Sequence, residues 1–147
     1  MRCLRRFARS SSGGAAVELA VVFPVLLLLI IAIVDYGRVF YTSVVVSNAA
    51  RAGAEYGAQG IAFAVDTAGQ RDYAQTDGNE AGALTIASRF YCECSGAANN
   101  TCGFCGGAAP DVFVEVTATK AVNMMLPYPG FPSTITIVRK ATFPRTQ

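Results

Sequence analysis

The segment from Gly13 to Val34 constrains this chain more than any other. It reads Gly13-Gly14-Ala15-Ala16-Val17-Glu18-Leu19-Ala20-Val21-Val22-Phe23-Pro24, then runs from Val25 to Val34 without a polar side chain. Leu19 to Val34 is 16 residues, about 24 Å of helix. Counted from Gly14 there are 21 residues, about 31 Å, enough to cross a bilayer. An ionised carboxylate such as Glu18 at the edge of a span is costly, so its presence marks a functional position. Arg2, Arg5, Arg6 and Arg9 precede the span, whereas Asp35 and Arg38 follow it. The positive-inside rule then leaves the N-terminus in the cytoplasm and the rest outside. A removable signal peptide has a shorter apolar core and an Ala-x-Ala-like cleavage site. Here Asp35-Tyr36-Gly37-Arg38 follows Val34 directly, so the helix is expected to stay in the mature chain. Pro24 lacks a backbone donor and is expected to kink it.

Composition excludes several chemistries. Hydrophobic residues make up 52% of the chain and charged ones 15%, a balance that favours a membrane-associated protein. The chain has no histidine, which rules out Ser-His-Asp and Cys-His catalysis and a histidine-ligated metal. No enzyme activity and no cofactor are expected. Four of the twelve basic residues lie before Gly13, so a net charge of +2 becomes −2 without them. The basic balance of the whole chain is therefore no argument for nucleic-acid binding.

The helix is expected to continue past the membrane. Tyr36, Phe40 and Val44 recur every four residues, followed by Ala49, Gly53 and Gly57 at the same spacing. Small residues at that spacing allow close approach of another element. That element is either the chain's own outer domain, the favoured reading, or another subunit. Arg51 and Glu55 form an i, i+4 pair on a solvated face, and Gly57 and Gly60 are the expected terminators. Ile61 to Thr76 reads as a loop or broken helix. Asp77-Gly78-Asn79-Glu80 has the form of a capping box and predicts a short helix through Ala83, Ala87 and Phe90. Gly96 to Pro110 reads as an irregular loop. Val112 to Thr119 alternates, with Val114, Val116 and Ala118 on one face and Glu115, Thr117 and Thr119 on the other. Ser133 to Phe143 alternates similarly, and Pro127 to Pro132 cannot hold regular structure between them. The expected fold class is α+β. A long N-terminal transmembrane helix continues into a small domain whose antiparallel sheet packs on the helix extension.

Cys92, Cys94, Cys102 and Cys105 lie close together, apart from Cys3 near the N-terminus. In a small domain outside the cytoplasm such a set most often forms two structural disulfides. Local pairs would close very tight loops, which favours cross-pairing between the ends of the segment, but the sequence leaves the connectivity open. A four-thiolate zinc site is the competing reading. Cys102-Gly103-Phe104-Cys105 also has the Cys-x-x-Cys form of thiol oxidoreductases. In those enzymes the motif opens a helix, whereas Gly106-Gly107-Ala108-Ala109-Pro110 opens none.

Three stretches make the chain resemble the TadE-like family of tight-adherence (Flp) pilus assembly systems. They are Gly14 to Pro24 with its glutamate and proline, Val34-Asp35-Tyr36-Gly37-Arg38, and Ser47-Asn48-Ala49-Ala50-Arg51-Ala52-Gly53-Ala54. The last is similar to the family's Asn-x-Ala-Arg-x-Gly signature. The resemblance implies a bacterial inner-membrane protein with a single pass, its C-terminal domain periplasmic. It implies a prepilin-like leader, residues 1–13, removed by a prepilin peptidase between Gly13 and Gly14, which makes Glu18 the fifth mature residue. Residues 14–34 then form the span, 35–60 the helix extension and 61–147 the extracytoplasmic domain. The implied role is a minor pseudopilin or assembly component acting by contacts through Glu18, Arg38, Asn48, Arg51 and Gly53. Its implied partners are other pilins or pseudopilins, the peptidase, the inner-membrane assembly platform and membrane lipid. Two alternatives stand beside it: a subunit or adhesin forming the filament, and a membrane-anchored thiol oxidoreductase using Cys102 and Cys105. Glycine at position 14 departs from the aromatic residue that begins many type IV pilins, and the cysteine cluster is not part of the family motif.

Overall fold

The computed structural model describes residues 13–94, 97–99, 102, 110–126 and 130–145. The leader before Gly13, Cys105, most of the Gly96–Pro110 segment and Pro127 to Pro129 lie outside the described residues. The chain divides into two compact units, Met1–Gly37 and Arg38–Gln147. Helix α1 (Gly13–Ala58) belongs to both.

In the first unit α1 is apolar on every side. Apart from half-buried Ile31, its large side chains are exposed from Val17 to Val34, between 42% at Leu27 and 70% at Val21. A core helix of a soluble protein is mostly buried, whereas none of the most apolar window of α1 is. Apolar surface on all faces of a helix is compatible with a membrane span. The stretch from Gly13 to Gly37 is about 37 Å long, sufficient to cross a bilayer. Helical structure is unbroken across Pro24.

In the second unit, the rest of α1 is followed by α2 (Ile61–Val65), α3 (Thr67–Asp77), a single 3₁₀ turn (Asn79–Ala81) and four strands. These are β1 (Thr85–Cys94), β2 (Ala97–Asn99), β3 (Asp111–Asn123) and β4 (Thr134–Pro144). They form one antiparallel sheet in the order β2-β1-β3-β4. The alternation read in the sequence sets its faces: Val114, Val116 and Ala118 are fully buried against the helices. Val46 and Ala50 of α1 pack with Ala118, Val122 and Ile137, while Ala54 packs with Val112, Val114 and Val116. The expected contact between the sheet and the helix extension is thus present, and the small-residue stripe serves it. A Cβ on Gly53 would stand 2.6 Å from the Gln70 carbonyl oxygen, and one on Gly57 2.7 Å from Val114 Cγ1. Those separations are below ordinary van der Waals contact, so only glycine allows the approach.

The region after Gly60 is a broken helix, with Asp66 at the break. Its carboxylate accepts from the Gly69 N–H at 2.9 Å, capping α3, and from the Tyr56 hydroxyl at 3.0 Å. This is an N-cap of the ordinary kind. Gln70, fully buried, donates to the Phe63 and Ala64 carbonyls at 2.8 and 3.0 Å. It thereby satisfies acceptors that the short α2 leaves open at its C-terminal end.

The helix expected through Ala83, Ala87 and Phe90 is not formed; those residues lead into and form β1. Asp77 ends α3, and Glu80 accepts a hydrogen bond from the Tyr41 hydroxyl instead of capping a new helix. From Thr85 the chain alternates, with Ile86, Ser88, Phe90 and Cys92 turned inward, and it pairs with β3 from Thr85–Thr119 to Glu93–Asp111. β-Branched and aromatic residues beside an open strand favour that pairing over a short isolated helix.

On the other face of the sheet, Glu115 lies between Arg89 at 2.7 Å and Lys140 at 2.9 Å. The hydrogen bond from Arg89 holds its carboxyl below the usual carboxylate range, assisted by Lys140 and opposed by burial. Asp66 is lowered in the same way, chiefly by the Gly69 N–H and then by the Tyr56 hydroxyl. A carboxyl with a depressed folded-state pKa contributes stability above its unfolded value, about pH 4, and loses that contribution as pH falls through the folded value. The urea midpoint of the outer unit should therefore hold steady from neutral pH to about pH 5 and fall below about pH 4. Glu115→Gln should lower the midpoint at neutral pH and shrink the acid-induced fall. An acid-independent midpoint in the unsubstituted chain would contradict the assignment.

Candidate interaction sites

The first candidate site is the start of α1. Gly13 is the first described residue and begins the helix; Gly13 and Gly14 are exposed, and nothing lies within 4 Å of a Cβ built on either. Glu18 is exposed on the same helix among exposed Val17, Leu19, Val21 and Val22. Among the described residues no hydrogen bond or ion pair reaches it. A lone carboxylate on an apolar helical surface is stabilised by a cation brought to it. On a helix the amino group of residue 14 is an i, i+4 neighbour of residue 18.

The second candidate site lies around the Asn-x-Ala-Arg-x-Gly stretch. Asn48 and Arg51 are exposed on α1. With Ala52, Glu55 and Asp77 they line a shallow depression in the surface of the outer unit. Gly53 sits on the opposite side of the helix, buried beneath Gln70, Ala74 and Val116. The stretch therefore has two faces, and Gly53 serves the internal packing while Asn48 and Arg51 face outward. Arg38 is exposed and engaged in an interaction of its own.

Asp35 has a property that its position in the sequence did not announce. Treated there as a flanking charge, it is 1% exposed and engaged. The only available signal was its isolation, an acid directly after a long apolar run, and that pattern fits a solvated flank equally well.

The described cysteines, Cys92, Cys94 and Cys102, are disulfide-bonded, and no thiolate cluster is left among the described residues. Cys92 is joined to Cys102 by a disulfide, a pair that fits the cross-pairing read from the sequence. Cys94 is disulfide-bonded as well. Cys92 is fully buried in the cluster of Ala54, Ala64, Val112, Val114 and Val116, and Cys102 packs against that cluster. Because Cys102 is bonded to Cys92, it is not paired with Cys105 as the Cys-x-x-Cys reading requires. Cysteines held in disulfides also do not supply the thiolates of a zinc site.

A family model described as "TadE-like protein" matches residues 13–55. The match covers the apolar helix, Glu18, Asp35, Arg38, Asn48, Arg51 and Gly53, and it ends before the sheet and the cysteines. No curated protein and no solved structure matches the chain.

Proposed function

We propose that this chain, TadE-like from residue 13 to residue 55, is a minor pseudopilin or assembly component of a tight-adherence-type pilus. It acts through contacts and not through catalysis. The observation that carries the reading is Glu18, an unpaired carboxylate among the described residues, exposed on an apolar membrane-length helix inside the matched segment.

Cleavage between Gly13 and Gly14 leaves an α-ammonium, largely charged at neutral pH, on the residue four before Glu18. In hydrocarbon that cation and the carboxylate are each unfavourable alone, and pairing reduces the cost. Pairing between adjacent subunits couples processing to docking, because an uncut chain has no ammonium at that depth. The N-terminus lies in the cytoplasm and the sheet-bearing unit outside, in an oxidising compartment that suits the disulfides. A sizeable folded unit on the helix fits a minor component better than the bulk of a filament, whose subunits carry little outside the membrane.

Glu18→Ala should leave membrane insertion and processing intact, since it makes the segment more apolar and lies beyond the cut. Co-purification with pilins and the assembly platform, and the number of pili per cell, should both drop sharply. Glu18→Asp should restore part of the loss. Normal piliation and partner recovery in Glu18→Ala would remove the residue from the mechanism.

A further inference from the structure

The sheet of the outer unit has one long open edge. Its outermost strands are β2, three residues, and β4, eleven residues, and no further strand lies beside β4 among the described residues. The register of β4 against β3 decides which way its backbone groups point. In an antiparallel pair, opposite residues alternate between rungs that exchange both hydrogen bonds and rungs that exchange none. The pairing runs unbroken from Phe113–Pro144 to Asn123–Thr134. Just beyond its two ends, the Met124 N–H donates to the Ser133 carbonyl at 2.9 Å and the Arg145 N–H to the Val112 carbonyl at 2.8 Å. Both of these rungs belong to the bonded set, so Ile135, Ile137, Arg139, Ala141 and Phe143 bond β3 in the same way. Thr134, Thr136, Val138, Lys140 and Thr142 therefore turn their N–H and C=O groups to the open edge. Pro144 falls in this second set, where its missing N–H costs no bond to β3. Of the edge groups, the Val138 carbonyl is capped, accepting from the Arg139 guanidinium at 3.2 Å.

A row of donors and acceptors at this spacing matches the backbone of one more extended strand. The side chains of β4 say what kind. On the face turned to the helices, Ile135, Ala141 and Phe143 pack against the core yet stay half-buried, so the apolar layer is incompletely covered at this edge. On the other face Thr134, Thr136, Val138, Lys140 and Thr142 are exposed. An added strand with apolar side chains on one face and polar ones on the other continues both layers. Charge narrows the choice further. From Thr134 to Arg145 the chain carries Arg139, Lys140 and Arg145 and no acidic residue. Lys140 bonds Glu115, yet its side chain remains 55% exposed. A lysine and a terminal proline guard an edge against indiscriminate pairing. Here the basic residues also disfavour a second copy of β4, which would bring like charges together, and favour an acidic strand.

We propose that the open edge of β4 takes up an extended acidic segment of a different protein as a fifth strand of the sheet. Its backbone bonds Thr134, Thr136, Lys140 and Thr142, its apolar residues lie beside Ile135, Ala141 and Phe143, and its acids lie near Arg139 and Lys140. Such a contact gives the outer unit a partner surface of its own. Piliation in Glu18→Ala and strand uptake at β4 are separate readouts, so either reading can fail without the other.

The probe is a fluorescent peptide long enough to span Thr134 to Thr142, in which valine alternates with glutamate and threonine. The full chain in detergent micelles is titrated with it, and binding is read by anisotropy. A counterpart with lysine in place of glutamate should bind about tenfold more weakly or not at all. Amide exchange followed by NMR should slow at Thr134, Thr136, Lys140 and Thr142 when the acidic peptide is added, and stay as it was at Ile135 and Ile137. Thr136→Pro removes a donor from the open edge and none from the ladder to β3, and should weaken binding about tenfold. Thr136→Ala keeps the N–H and should bind nearly as the unsubstituted chain does. Should Thr136→Pro fold poorly, peptides N-methylated on one or the other alternate set of residues test the same bonds on the unsubstituted chain. One set should abolish binding and the other leave it. Unchanged exchange at the edge amides, equal binding of the lysine peptide, or tolerance of both methylated sets would overturn the proposal. Self-association of the chain that Thr136→Pro abolishes would place a second copy on the edge and overturn it as well.

Discussion

Gly53→Ala is expected to destabilise the outer unit by about 1–3 kcal/mol, the usual cost of forcing a methyl group into a filled core. The sign is the informative part. In an exposed helix interior the same substitution stabilises by up to about 1 kcal/mol, because alanine is the better helix former. At Gly53 the added carbon meets the Gln70 carbonyl oxygen at 2.6 Å and Ala74 Cβ at 3.0 Å. A backbone oxygen within α3 moves only if the helix moves, so the strain is not relieved by a side-chain rotation. Gly53→Val adds further bulk to the same contact and should abolish the cooperative transition. Gly37→Ala is the control, since nothing lies within 4 Å of a Cβ there, and it should be neutral or slightly stabilising. Urea unfolding of the detergent-solubilised chain, followed by circular dichroism, reads all three. A Gly53→Ala variant as stable as the unsubstituted chain would show that α1 and α3 do not approach as described.

Opening the Cys92–Cys102 disulfide should cost about as much. The bond joins residues 10 apart, and loop-closure entropy for so short a loop corresponds to about 2–3 kcal/mol. The two single substitutions should differ. Cys102 is partly exposed, so Cys102→Ser loses mainly the cross-link. Cys92 is fully buried among valines and alanines, so Cys92→Ser also places a hydroxyl where partners are scarce and should lose more. Non-reducing peptide mapping should recover Cys92 linked to Cys102 and, by the cross-pairing expected of the set, Cys94 linked to Cys105. The intact mass should lie below the reduced mass by two hydrogens per bond. Free thiols at these positions, or stoichiometric zinc, would contradict the assignment.

The features legible in the sequence were those with a strong period or a strong composition. The apolar helix needed only length and the absence of polar side chains. Strands β3 and β4 were visible because Val112 to Thr119 and Ser133 to Phe143 alternate cleanly, one face for the core and one for solvent. The stripe of Ala49, Gly53 and Gly57 announced close packing, and its partner proved to be the chain's own α3 and β3. Strand β1 was misread because local and tertiary signals conflict there. Asp77 to Glu80 mimics a helix start, and the stretch becomes a strand only beside β3, which lies later in the chain. The two faces of the Asn48–Gly53 stretch were hidden for the same reason. Sequence spacing shows that Arg51 and Gly53 lie on different sides of a helix, but not which side is covered. Burial of Asp35 left no periodic trace at all.

Gly13 is expected to mark a processing boundary, with everything after it retained and Glu18 close to a new amino terminus. N-terminal sequencing of the protein extracted from the membranes of cells carrying the full assembly system tests this most directly. The expected sequence begins Gly14-Ala15-Ala16-Val17-Glu18. A chain still beginning at Met1 would contradict processing, and a start beyond Val34 would make the apolar helix a discarded signal and remove Glu18 from the mature protein.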